Sequence, residues 1–275
     1  MTYALALGGA VCYGLADFSG GFASRRLPPW AVTFWSQSIG VPALVVGLLV
    51  LPATEVTAAD IGWGAFAGVG GVVGLGLLYR SLAEGTMAIV SPVTAATTAV
   101  IPVIVDLLSG GSLSVVAGIG VILAVLAIAT IARERSERRI SPRLLGMALA
   151  AGVGFATFFI AISQTSEASG FWPLVGARAV TIPIGFVLHR VLERPVRPDR
   201  SGMRWVATAG LLDMGANLLL AVALQRGPLG VVSVLSSLYP AFTALAAVVL
   251  VGERLNRVQL LGVAAAMVAV VLLVT

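Results

Sequence analysis

The chain has 275 residues, 17 basic and 12 acidic; hydrophobic residues make up 59% of it and charged residues 11%, and the mean hydropathy is +1.03. A soluble domain has nearer half apolar and a quarter charged residues, so a water-soluble fold is excluded and a polytopic membrane protein is expected. The net charge of +5 comes entirely from arginine, as there is no lysine. These arginines lie between apolar runs and form no aromatic-interleaved patch, so their expected role is membrane topology and not nucleic-acid binding.

A helix needs roughly 20 apolar residues to cross the hydrocarbon core. Ten such runs are predicted, at 3–23, 30–52, 61–80, 86–107, 113–132, 143–163, 172–192, 203–224, 228–250 and 256–275. No basic residue precedes the first run, so it reads as a retained helix and not as a signal peptide. Helices are the default because lipid offers no partner to unsatisfied backbone groups. Prolines 42, 92, 102, 183 and 240 lie inside runs, where they should kink or interrupt helices. Pro92 and Pro240, in corresponding runs of the two halves, are the ones linked to motion. The single cysteine, Cys12, excludes an internal disulfide and a cysteine-based metal site.

The two halves repeat each other at an offset of 142 residues. Leu82 to Leu113 matches Leu224 to Leu255, with Gly85 on Gly227, Ser91 on Ser233 and Gly110 on Gly252. Trp30 falls on Trp172, Trp63 on Trp205 and Gly68 on Gly210, in a chain with five tryptophans. Each repeat (1–135 and 143–275) then carries five helices. An odd count inserts the second repeat from the opposite side, the arrangement found in alternating-access transporters. The predicted fold is all-α, ten transmembrane helices as two inverted five-helix repeats.

Fifteen of the seventeen arginines fall in the loops of one face, including Arg25, Arg80, Arg133 to Arg143 and Arg190 to Arg204. The positive-inside rule puts that face in the cytoplasm and both termini outside.

Run nine closes with Gly252-Glu253-Arg254-Leu255 and is followed by a glycine-bearing tenth run, QLLGVAAAMVAVVLL. With the repeat and the ten runs, this ending resembles the EamA family of the drug/metabolite transporter superfamily, over essentially the whole chain. The first repeat departs from the pattern, with Gly110-Gly111-Ser112-Leu113 at the equivalent place. The resemblance implies a bacterial inner- or plasma-membrane transporter of small metabolites, amino acids or drugs. It further implies a central cavity lined by helices 1, 3, 4, 6, 8 and 9, with helices 5 and 10 peripheral. Export is the expected direction, the partners are the lipid bilayer and a small-molecule substrate, and protons are the candidate coupling ion. A monomer and a homodimer both fit.

Ionisable groups inside a span cost roughly 2.5–3.5 kcal/mol on insertion scales, so each is a candidate. Asp213 lies in the middle of run eight, with Asn217 one turn on. Arg178 lies about 9 Å in from the outer face and Asp213 about 16 Å, within reach of a long side chain. A buried Arg178–Asp213 lock between helices is weighed against a cavity site for substrate or proton. Asp17, one turn from Tyr13, is either a proton-titrating or cation-binding carboxylate at the cavity mouth, or a residue that reaches the interface or pairs with Arg25 or Arg26. Ser91, Thr94 and Thr98, and Ser233, Ser236, Ser237 and Tyr239, give runs four and nine one polar stripe each, expected to line the path. Arg80 with Glu84 reads as a local pair, His189 as an interfacial residue, and Glu253 with Arg254 as a helix-end element. No catalytic set, metal cluster, phosphate loop or cofactor motif is apparent, which points to a non-enzyme without an ATP-driven step. The rival reading is an intramembrane enzyme acting on a lipid-linked substrate, and a third is a membrane scaffold. The first lacks a clustered acid, base or Arg set at one interface, and the second leaves the repeated polar stripe unexplained.

Overall fold

The computed structural model describes residues 2–108, 115–116, 118–120, 122–123, 126, 141–193, 200–227, 229–253 and 257–272. These residues are helical or in short connections, with no strand among them. In chain order the helices are α1 (Thr2–Ser24), α2 (Pro29–Ile39), α3 (Val41–Val50), α4 (Ala58–Glu84), α5 (Met87–Leu108), α6 (Pro142–Ser163), α7 (Trp172–Leu192), α8 (Arg200–Arg226), α9 (Leu229–Ser236), α10 (Tyr239–Ala246) and α11 (Arg257–Leu272). A 3₁₀ turn, Glu167–Ser169, precedes α7, and a π turn, Ala247–Val251, follows α10. Among the described residues, five segments are long and apolar enough to cross a membrane: Pro29–Val50, Ala58–Glu84, Pro142–Ser163, Trp172–Leu192 and Arg200–Arg226. Ile89–Val105 and Tyr239–Val251 are shorter apolar helices. Most of the fifth predicted run lies outside the described residues, as do Gly110-Gly111-Ser112-Leu113 and Arg254-Leu255.

Two runs expected to be single helices are broken, and proline is the cause. Pro42 opens α3 just after the break at Gly40, and Pro240 opens α10 just after Ser237 and Leu238. Proline lacks the N–H needed for the i−4 bond and its ring crowds that carbonyl. Pro92 and Pro102 in α5 and Pro183 in α7 are carried within continuous helices.

Helix starts are set by local chemistry that also ties the halves together. Thr57 and Asp60 form a capping box at α4. Asp60 Oδ1 also accepts from the Ser166 backbone N–H at 2.8 Å, across the repeat boundary. At α2, the Glu193 carboxylate accepts from the N–H groups of Trp30 (2.8 Å) and Ala31 (3.0 Å), where the helix dipole favours an anion.

The packing repeats as the sequence does. Under the 142-residue offset α1 corresponds to α6, α2 to α7 and α4 to α8. In the structure α1 packs on α8 and α4 on α6; α4 packs on α7 and α2 on α8. Gly68 of α4 lies against the backbone of Ala177 in α7, and its equivalent Gly210 in α8 lies against the backbone of Ser36 in α2. A side chain at either place would strike main chain, so the small residue is what permits the close crossing. Large apolar side chains such as Leu49, Val50, Phe66, Val187 and Leu250 stay exposed around the outside, as a lipid-facing surface requires.

Inside, two apolar clusters are the largest among the described residues. Phe18, Leu78, Leu82, Met87, Val93 and Val206 form a cluster toward the arginine-rich end. Phe158, Phe159, Leu174, Met214 and Leu220 form another toward the opposite end.

Candidate functional site

Between these clusters lies a cavity of about 40 Å³, lined by residues of both halves. That is room for roughly three waters. Its walls include Tyr13 and Asp17 of α1, Gln37 of α2, Gly71 and Leu75 of α4, and Thr98 of α5. From the second half come Phe155, Phe158 and Phe159 of α6, Arg178 and Thr181 of α7, Asp213 and Asn217 of α8, and Tyr239 of α10.

A hydrogen-bonded chain crosses this space. The Arg178 guanidinium donates to Asp213 Oδ2 at 2.9 Å, and the Gln37 amide donates to the same oxygen at 3.0 Å. Asn217 Nδ2 donates to the Asp213 backbone carbonyl one turn back, at 2.7 Å, and its Oδ1 accepts from the Tyr13 hydroxyl at 3.0 Å. Four helices, α1, α2, α7 and α8, are thereby joined through two residues of α8. Arg178 and Asp213 are both buried, at 8% and 7% exposure, so the lock weighed at the sequence level is formed, inside the cavity wall. Arg178 Nε and Thr181 Oγ1 are buried without a hydrogen-bond partner.

Asp17 does not reach Arg25 or Arg26. It is 4% exposed and faces the cavity, and Arg25 instead pairs with Glu253 at 2.7 Å. Glu253 also accepts from the Met87 N–H at the start of α5, at 3.3 Å. Gly252, with a φ of 72°, turns the chain so that this carboxylate comes back over the arginine-rich end. The clamp joins the end of the second repeat to two elements of the first.

Of the residues singled out in the sequence, Tyr13, Asp17, Thr98, Arg178, Asp213, Asn217 and Tyr239 meet at the cavity. Ser91, Thr94, Ser233, Ser236 and Ser237 are fully buried but do not line it. Thr94 Oγ1 is bonded to backbone carbonyls of Val90 and Ala148, whereas the four serine hydroxyls lack a partner among the described residues. Arg80 and Glu84 form an exposed local pair at 3.0 Å. His189 Nδ1 lies 3.1 Å from Glu193, buttressing the α2 cap. Gln37 and Thr181 were missed, though each had a signal: an amide inside an apolar run, and a hydroxyl three residues after Arg178. The three phenylalanines of α6 had none, because an apolar side chain serves lipid, core and cavity alike.

A helical shell with apolar surface outside and a pocket carrying ionisable side chains within defines an integral membrane protein built from two packed repeats. The EamA-like transporter family matches residues 1–133 and again 143–275. The chain belongs to that family, which is consistent with a transporter of the drug/metabolite superfamily. No curated protein matches the sequence. One solved crystal structure superposes with a TM-score of 0.71 over 97% of this chain and 94% of its own, at 16% identity; that likeness shows the fold alone.

Proposed function

We propose that the protein is a secondary transporter that carries a small metabolite, amino acid or drug through the central cavity by alternating access. The observation that supports it is a largely apolar cavity that carries ionisable groups where both repeats cross, with an apolar cluster on either side. At about 40 Å³ the cavity is far below the roughly 300–1,000 Å³ of small-molecule sites. Cargo enters only when one cluster parts, and parting one at a time keeps the membrane sealed. The repeats are taken as 1–135 and 143–275, inverted, with five spans each and both termini outside. They rock about the α1–α8 and α4–α6 contacts. The cell is bacterial, the direction is export, and protons drive it through a cavity carboxylate. Among the described residues the cavity wall holds no Ser–His or Cys–His pair, so nothing there favours the rival enzymatic reading.

The test needs no ligand. Ser91 and Ser233 occupy equivalent positions near opposite ends. In a Cys12→Ala background, Ser91→Cys and Ser233→Cys report opening of each end to a membrane-impermeant maleimide. Glu253→Gln removes the Arg25 ion pair, worth about 1 kcal/mol, and should shift the populations about five-fold. Labelling at position 91 should rise and labelling at position 233 fall. Parallel changes at both positions, or none, would sink alternating access.

A further inference from the structure

The charges around the cavity do not balance. Asp213 is neutralised by Arg178, the basic side chain of the cavity wall. Asp17 is equally buried, lines the same space, and has neither a hydrogen bond nor an ion pair among the described residues. Its closest basic candidate by sequence, Arg25, is held by Glu253. An ionised carboxylate is not left buried without a compensating cation, so without a cation beside it Asp17 is stable only by holding a proton, and a cationic group that enters can take that proton's place. Beside the polar residues Gln37, Thr98, Thr181 and Asn217, the wall carries aromatic rings, Phe155, Phe158 and Phe159 from α6 and Tyr13 one turn from Asp17 on α1. Aromatic faces attract cations and pack apolar bodies.

We propose that the cargo is an organic monocation: a protonated amine that pairs with Asp17, on an aromatic or apolar body received by the α6 phenylalanines in the widened cavity. This rests on the transporter reading and names its substrate class. Asp17 is the residue that sets specificity, and Asp213 is the anchor that keeps Arg178 from supplying the missing charge. An anion would add negative charge to a wall that already sets two carboxylates against one guanidinium, whose free Nε offers it a single donor. A zwitterion brings its own counter-charge and leaves the deficit in place. A divalent metal would find a single unpaired carboxylate among aromatic rings, far from the six or more oxygens that hard cations take.

The experiment uses four probes of one shape and different charge: 2-phenylethylamine, 2-phenylethanol, 3-phenylpropionate and phenylalanine. Each is titrated calorimetrically into the purified full-length protein at neutral pH. The amine should bind at least about ten-fold tighter than each of the others, and Asp17→Asn should weaken it by at least about ten-fold, equivalent to about 1.4 kcal/mol. Asp17→Glu keeps the charge and should keep the preference for the amine, which separates loss of the carboxylate from misfolding. Equal or tighter binding of the alcohol, the carboxylate or the zwitterion overturns the proposal. So does amine binding unchanged in Asp17→Asn, or no binding by any probe. The cysteine labelling above is ligand-free and reports separately: reciprocal labelling with a failed panel removes the cargo class and leaves transport. Amine binding without reciprocal labelling keeps the site and removes transport.

Discussion

Replacing Arg178 by Met tests whether the cavity wall is held together by its ion pair. The guanidinium and the Asp213 carboxylate are 2.9 Å apart and their side chains are each 9% exposed. Without Arg178, Asp213 Oδ2 keeps the Gln37 amide as its donor, a contact worth about 1.5–3 kcal/mol for a charged acceptor. That does not neutralise it, and Asp17 remains in the same cavity. Breaking a buried pair by removing one partner costs about 3–5 kcal/mol. At about 2–4 °C per kcal/mol for a chain of this size, the apparent melting temperature in detergent should fall by roughly 6–20 °C at a fixed scan rate. The double variant Arg178→Met, Asp213→Leu removes the stranded charge and should recover most of this loss. It still leaves the Gln37 amide without its acceptor, at about 1–3 kcal/mol. Arg226→Met is the control, because Arg226 and Glu167 are paired at 2.8 Å but 38% and 57% exposed, and such pairs contribute about 0–1 kcal/mol. If Arg178→Met melts no lower than Arg226→Met, or if the double variant melts lower than the single, the lock does not carry the wall.

Glu193→Ala removes the carboxylate that receives two N–H groups at the start of α2; it should cost about 1–2 kcal/mol, read as a fall of about 2–8 °C in the same melt. Gly210→Val places a branched side chain against the Ser36 backbone, and overpacking of that kind costs about 1–3 kcal/mol; Gly215→Val, where a Cβ meets nothing, should melt within about 1 kcal/mol of wild type.

Much of this architecture was legible because lipid penalises so many alternatives. Apolar runs of spanning length, the 142-residue repeat and the paired tryptophans and glycines pointed to a two-repeat helical membrane protein before any coordinate. Asp17, Arg178 and Asp213 stood out for the same reason, since an ionisable group in such a run is expensive unless placed with purpose. The helix breaks at Gly40 and after Ser237 were not located in advance, because proline at 42 and 240 breaks a helix where proline at 92, 102 and 183 is absorbed. The polar stripes marked which face of runs four and nine is polar. They did not tell whether that face meets a cavity or another helix, and in this structure Thr98 and Tyr239 meet the cavity while Ser91 and Ser233 meet packed side chains. That distinction depends on the angle between helices, which a linear pattern does not contain.

The misfit serines bear on how the two ends could open. Ser24 and Ser91 toward the arginine-rich end, and Ser233 toward the other, have buried hydroxyls with no partner among the described residues. Each such group costs about 1–3 kcal/mol relative to a hydrated one. On the alternating-access reading, parting an apolar cluster exposes side chains such as Leu82 or Leu220, at about 1.5–3 kcal/mol for each one fully uncovered. The same movement hydrates the nearby hydroxyls and returns a similar amount for each. Closed and open forms then lie close enough in free energy that the roughly 1 kcal/mol of Arg25–Glu253 shifts their populations about five-fold, and a bound amine shifts them further. A seam lined with leucine in place of Ser91 and Ser233 would have no such offset. Ser91→Leu should therefore favour the closed arginine-rich end, and labelling of Ser233→Cys in that background should rise. Unchanged labelling at position 233 would show that the buried hydroxyls play no part in the balance between the two ends.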